Sequence, residues 1–277
     1  MSSSWTFDPN TMLQLRLDKA EAALQAGNFD QALIEAEELL DDHPSHRRGL
    51  EIAGAAALTM GDAVMALEAL NRFVELHPPD ARILQALAVA RFEAVDYPGT
   101  LAAAEQSTAL DSSIAAAWYY QGLAMERMGR SDAAMERFSK AEVLDPVHFQ
   151  VPSPWIDLAW EELLDTALNQ LPEPFQIFYD SIDIRWNDFP DEEDLLENYP
   201  PLSPFTDALY RGRPPENTDP WNSRPTYVAL FRGNLSRPSP DDISIVSRIH
   251  DALIHEAMHW LGIQDGNISG LGTDLEP

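Results

Sequence analysis

Residues 61–78 read GDAVMALEALNRFVELHP: a glycine, a run with apolar side chains at every third or fourth position, and a closing proline. The glycine separates this run from a helix before it, because glycine takes a left-handed backbone that other residues adopt reluctantly. The proline then ends the run. Shifting the sequence against itself by 34 residues finds the same frame again. Gly27, Gly61 and Gly129 form one comb, with Val95 in the vacant slot; Pro44, Pro78 and Pro146 form a second, with Ser112 filling its gap after Asp111. Two combs in phase imply paired helices repeated along the first half of the chain.

Small residues recur where two packed helices must approach closely. They are Ala20, Gly54, Ala88 and Gly122 on the first helices, and Ala32, Ala66 and Ala134 on the second. Leu70, Phe73, Leu84, Leu87, Trp118 and Phe138 supply the bulk around them. This period and pattern resemble the tetratricopeptide repeat, in four units of about 13–46, 47–80, 81–114 and 115–148. The third, with Val95 and Thr100 off pattern, is the most degenerate. The resemblance implies an all-α solenoid in which each hairpin buries its apolar face on the next. It also implies a concave surface, lined by the first helices, that takes an extended peptide or a protein partner. Arg48, Gln85, Tyr119 and Leu123 are the candidates to face it.

The 277 residues are 45% apolar and 23% charged, a composition that folds and that allows one large domain or two modest ones. With no cysteine, disulfide scaffolds, thiolate zinc fingers, iron-sulfur clusters and cysteine nucleophiles are excluded, so any metal must sit on His, Asp or Glu. The start, MSSSWTFDPN, lacks a basic stretch followed by an apolar one, and no run approaches the roughly 18 apolar residues of a membrane span. The expectation is a cytoplasmic protein with no membrane association. Acidic side chains number 46 against 18 basic, a net charge of -28 that opposes nucleic acid and anionic lipid. The acidity would suit a cationic substrate or a bound metal, but net charge speaks first to solubility.

After Pro146 the repeat stops. Ser153-Pro154 has the form of a helix start, and Trp155 to Leu171 reads as an amphipathic helix stopped by Pro172. Ile182 to Trp186 alternates like a half-buried strand, and Thr226 to Arg232 does the same. Between them, 188–225 is rich in prolines and acids and reads as loop. Ser239-Pro240-Asp241-Asp242 combines a cap, a proline at the first helical position and two acids for the positive end of the dipole. The helix predicted from there runs to about Leu261, with Val246, Ile249, Leu253, Ala257 and Trp260 on its core face.

The last two turns of that helix contain His255-Glu256-Ala257-Met258-His259, the HExxH pattern. Residues four apart stand one turn above each other, so both imidazoles can hold one zinc at about 2.0–2.1 Å. Glu256 is turned about 100° around the axis, which sets its carboxylate beside the metal, where it can take a proton from water. A catalytic zinc needs a third protein ligand and one open position. The sequence continues to Gly262 and Asp265, giving HExxHxxGxxD. A left-handed Gly262 would swing the chain back and bring Asp265 to the ion; Asp274 and Glu276 are the alternatives. His250, about 140° around the helix from His255, and the repeat-half His43, His46, His77 and His148 are read as non-ligands.

Residues 154–277, with ALNQLP at 167–172, the two strands and this motif, resemble the small zincin-like metallopeptidase family. The resemblance implies His255, His259 and Asp265 as zinc ligands and Glu256 as general base. The larger metzincins differ, having a third His where Asp265 stands and a later methionine, whereas no Met follows Met258 here. The reaction implied is hydrolysis of a peptide or protein substrate by metal-activated water, with the 226–232 strand offering its edge to the substrate. Tyr210, Tyr227 and Arg232 are candidates to stabilise the transition state, each with an ordinary packing or surface role as the competing reading. The acidic run Asp191 to Asp194 would either line the cleft or be solvated loop. The expected architecture is α+β: a tetratricopeptide-repeat solenoid at 13–148, then a zincin-like domain at 154–277 with a short sheet and an active-site helix. The expected function is a zinc metallopeptidase whose repeats recruit a protein. The alternative is a non-catalytic interaction scaffold whose zincin-like half binds zinc.

Overall fold

The computed structural model describes residues 9–153, 158–213, 223–238 and 243–262. Its first part is a run of helices: α1 Pro9–Gln25, α2 Phe29–Asp42, α3 Arg47–Thr59, α4 Ala63–Leu76, α5 Ala81–Glu93, α6 Tyr97–Leu110, α7 Ala115–Arg127 and α8 Ser131–Leu144. They pair as four hairpins, each packed on the next. Gly27, Gly61 and Gly129 take φ of +77°, +77° and +73° between the helices of a hairpin. Val95, in the slot without a glycine, takes the same left-handed conformation at φ +65°. Its β-branched side chain opposes that conformation, yet it is buried, so packing holds the turn that glycine would hold for free.

The small residues lie in the helix contacts. Ala20, Ala32, Ala66 and Ala88 are fully buried. A Cβ added to Gly122 would meet the Phe138 ring at 2.6 Å, and one added to Gly54 would meet Leu70 at 2.9 Å. Thr100, off the alanine pattern, is also buried and satisfies its hydroxyl on the Asp96 carbonyl at 2.8 Å. Two sequence expectations fail. Leu123 is wholly buried and cannot line a surface. Trp118 is only half-buried, its indole N–H on the Ser112 carbonyl at 2.9 Å and its ring beneath Arg137 and Lys140.

The second part contains α9 Trp160–Gln170, α10 Glu173–Tyr179, β1 Ile184–Asn187, α11 Glu192–Leu196, β2 Ala208–Arg211, β3 Tyr227–Phe231, α12 Arg232–Leu235 and α13 Ile245–Trp260. The sheet order is β1-β3-β2, with β1 parallel and β2 antiparallel to β3. The sequence therefore misplaces several features. The first helix begins at Trp160 rather than directly after Ser153-Pro154, and residues 154–157, which include the proposed Pro154 and the expected first helical positions, lie outside the described residues. Pro172 both stops α9 and opens α10. The expected loop 188–225 contains α11 and β2. Residues 239–242 also lie outside the described residues, and the cap of α13 is Ser244, whose hydroxyl accepts from the Ser247 amide at 3.1 Å.

β3 is buried along Val228–Phe231 rather than on alternate residues, because a strand covered on both faces has no solvent side. Val228 and Leu230 join Leu164, Phe175, Phe178, Ile249, Leu253, Ala257 and Trp260 in one core. The apolar face of α13 is thus fixed by burial worth about 1.5–3 kcal/mol for each large side chain.

The chain folds as two compact units, Met1–Val151 with Glu192–Ser203, and Pro152–Asp191 with Pro204–Pro277. From Glu192 on, the acidic run belongs to the unit that contains the repeats. No helix among the described residues is long and apolar enough to cross a membrane.

Two outcomes follow for the repeats. Gly122→Ala is expected to cost about 1–3 kcal/mol by overpacking Phe138, against about 1–2 kcal/mol of backbone strain for Gly129→Ala, which has open space around it. Chemical denaturation of the two variants measures the difference. The second concerns His46, whose Nδ1 caps α3 by accepting from the Gly49 amide at 3.1 Å. Burial, then the charges of His43 and His77, hold its pKa below the ordinary value. The unfolded chain therefore binds this proton more readily, and the contribution is full above about pH 6.5 and lost as pH falls through the depressed folded value. His46→Asp, which keeps a capping acceptor, should flatten that part of the dependence of the denaturation midpoint on pH.

Candidate functional site

The last turns of α13 carry His255, Glu256 and His259. Because Ile249, Leu253, Ala257 and Trp260 are committed to the core, the period of the helix sends the two histidines to its opposite flank. Their Nε2 atoms converge to 2.9 Å and their ring centroids to 4.3 Å. Two nitrogens on one tetrahedral zinc at about 2.0–2.1 Å stand roughly 3.3 Å apart, so the pair matches such an ion in donor type and nearly in spacing. Among the described residues, no group of three or more His, Asp or Glu side chains assembles around a metal position. Gly262 follows the helix at φ +75°, its amide donating to the His259 carbonyl at 3.0 Å. The chain thus leaves α13 through a left-handed residue, as expected. Asp265, Asp274 and Glu276 lie outside the described residues.

Glu256 is only 5% exposed. Its Oε2 accepts from the backbone amide of Tyr210 at 2.8 Å. The reason lies in the register of β2. The carbonyls of Asp207 and Arg211 accept from the Phe231 and Thr226 amides across the sheet, which turns the Tyr210 amide to the outer edge. β3 is paired on both sides and offers no edge to a substrate, against the sequence expectation. The strand beside the motif is β2, missed because it is short and sits in a proline-rich stretch.

Three further groups position this flank. Tyr179, on α10, donates from its hydroxyl to the Leu253 carbonyl at 2.6 Å, and burial together with the Glu256 charge pushes its phenol well up. The Tyr210 ring stands edge-on to Trp260 at 5.5 Å and 88°. Arg248 is the largest clamp. Its Nη2 meets both oxygens of Asp207 at 2.7 and 2.8 Å, while its Nη1 reaches the carbonyls of Asn234, Leu235 and Arg237 at 3.0 Å each. Burial pushes the Asp207 carboxyl up, opposed by Arg248 and then Arg237. Arg248 lies seven residues before His255, almost in line on the helix, and a cation on the face of two imidazoles was the signal available in the sequence. Nothing there pointed to Asp207.

A cavity of about 330 Å³ opens on this flank, lined by Thr206, Ala208, Ile243, Ala252, His255 and Glu256 together with the Asp207–Arg248 pair and Asp251. Residues 206–208 therefore supply part of its wall. Of the other groups weighed from sequence, Tyr227 lies under the Arg185 guanidinium at 4.0 Å and Arg232 pairs with Asp188 at 3.5 Å. His250 bonds Asp251 at 2.9 Å and is not gathered with His255 and His259. Only Tyr210 of the three stabiliser candidates borders the motif.

Replacing Arg248 with Met would leave a half-buried carboxylate and three carbonyls without their donor. The expected loss is about 3 kcal/mol, read as a lower thermal midpoint, with Asp207→Asn milder because the amide still offers an acceptor.

The model of the zincin-like metallopeptidase family matches residues 179–273, and two tetratricopeptide-repeat models match 17–81 and 116–142. No curated protein matches the chain. Among solved structures, a crystal structure of MamA protein is similar over 49% of this chain and 74% of its own, at 26% identity and a TM-score of 0.46. MamA from Desulfovibrio magneticus RS-1 is similar over 49% and 77%, at 21% identity and a TM-score of 0.45. YrrB, a TPR protein with an unusual peptide-binding site, is similar over 48% and 69%, at 15% identity and a TM-score of 0.44. The chain carries tetratricopeptide repeats followed by a zincin-like metallopeptidase domain.

Proposed function

We propose that the protein is a zinc-dependent peptidase, with His255, His259 and Asp265 as the metal ligands, Glu256 as general base, and the repeats engaging a protein partner or substrate. The observation that carries this reading is the convergence of two imidazole nitrogens to 2.9 Å beside a buried glutamate and an open cavity. A purely structural zinc site needs neither the glutamate nor the space. Zinc bound there supplies Lewis acidity toward water and toward a scissile carbonyl.

The protein groups then have separate tasks. His255 and His259 donate through Nε2, and Asp265 adds the third ligand from beyond Gly262. Glu256 accepts the proton of the attacking water and returns it to the departing amine. The Tyr210 amide orients that carboxylate, and the Arg248 clamp holds the strand carrying Tyr210 against α13.

The test compares wild type with Glu256→Gln at equal zinc content on a peptide library. Loss of about 10²-fold or more in cleavage is expected from removing a general base. Equal rates, or no cleavage of any peptide by the zinc-loaded wild type, overturn the enzyme reading and leave the interaction scaffold. In the same preparations Asp265→Ala should lose most of its zinc by elemental analysis. Undiminished occupancy would move the third ligand to Asp274 or Glu276.

A further inference from the structure

The segment Glu192–Ser203 leaves the sheet-bearing unit after Asp191 and folds with the repeats. It is short, acidic and aliphatic: EEDLLENYPPLS. Leu195 in α11 is 0% exposed although α11 is a single turn and a half, and the Leu202 amide closes back on the Leu195 carbonyl at 3.0 Å. At its end the Ser203 hydroxyl donates to Glu93 Oε2 at 2.8 Å. Glu93 is the last residue of α5, a first helix of the third repeat. Burial pushes its carboxyl up, and the Ser203 bond draws it back.

The repeat groups that the segment meets or approaches come from the third and fourth repeats: Glu93, Tyr97 and Arg127. Tyr97 is almost fully buried and tilted against Phe92, with Arg127, Glu192 and Glu93 all close enough for their charges to act on the phenol. Its hydroxyl has no hydrogen-bond partner among the described residues. A buried donor left without an acceptor costs about 1–3 kcal/mol, so the segment that covers this surface does not complete it. The segment thus combines a buried leucine, an acidic run and a hydrogen bond to a repeat side chain, next to a hydroxyl left without a partner among the described residues.

We propose that the surface around Glu93 and Tyr97 is a peptide-binding site of the repeats that the chain fills with its own segment Glu192–Ser203. The partner it fits is an extended acidic-aliphatic peptide with a buried leucine, and such a peptide must displace the resident segment. An incoming chain that brings an acceptor to Tyr97 gains an interaction the resident one lacks. The inference concerns binding and stands whether or not the protein hydrolyses peptides.

The full-length chain allows a direct test. Tyr199 is 84% exposed within the segment and the protein has no cysteine, so Tyr199→Cys gives one site for a nitroxide. The label should show restricted motion. Excess unlabelled peptide with the sequence of residues 190–205 should convert it to a mobile spectrum, and so should adding Leu195→Asp without peptide. A fluorescent form of the same peptide should bind the Leu195→Asp chain about ten-fold more tightly than wild type. Spectra unchanged by excess peptide, or equal affinities of the two folded chains, overturn the proposal. Should Leu195→Asp fail to fold, the peptide titration of the labelled parent decides alone, since it needs only Tyr199→Cys.

Discussion

An α-helix cannot choose independently which residues meet the core and which meet a ligand, because 3.6 residues per turn fix both at once. α13 lives under that constraint. Burying Ile249, Leu253, Ala257 and Trp260 against α9, α10 and the sheet leaves one orientation for the helix, and in it His255 and His259 stack on the same flank with Glu256 turned toward β2. The apolar face thus aims the imidazoles without touching them. Tyr179 and Arg248 then remove what freedom remains, one from the α10 side and one from the β2 side.

The wall opposite α13 is held by other means. Before the Asp207 carbonyl meets the Phe231 amide, the stretch 204–206 lies outside the ladder, and its carbonyls at Pro204 and Thr206 are satisfied by a side chain. Asn234, buried in α12, donates to the carbonyls of both Pro204 and Thr206. Arg248 takes the Asp207 carboxylate together with three carbonyls around the end of α12. Polar groups buried without partners are costly, so this network makes an irregular stretch as definite as a strand. Gly233 contributes by its lack of a side chain: the Phe189 ring lies directly over it, and its amide donates to the Asp188 carbonyl at 2.8 Å.

The repeats were readable because their signals are local. A glycine with positive φ, a proline just past a helix and a small residue in a contact each act within a few residues, and each survives as letters at fixed spacing. The HExxH geometry was readable for the same reason, being one turn of one helix. What escaped was set by contacts distant in the chain. β2 is four residues in a proline-rich stretch and becomes a strand only by pairing with β3. The all-round burial of β3 depends on what covers its second face, and Asp207 gains its meaning only from Arg248, 41 residues later. Leu123 went astray on a subtler point: helical spacing gives the face a residue occupies, but not how deeply a neighbouring hairpin covers it.

The residues matched to the tetratricopeptide-repeat models stop at 81 and resume at 116, a gap that brackets the hairpin containing Val95. Yet α5 and α6 fold there as their counterparts do. A stacked architecture spreads the discomfort of one ill-suited residue over the interfaces on either side, so a single module can drift far from its signature while its helix pair keeps its place in the stack. Counting modules by signature alone therefore gives a lower bound, and shape outlasts spelling.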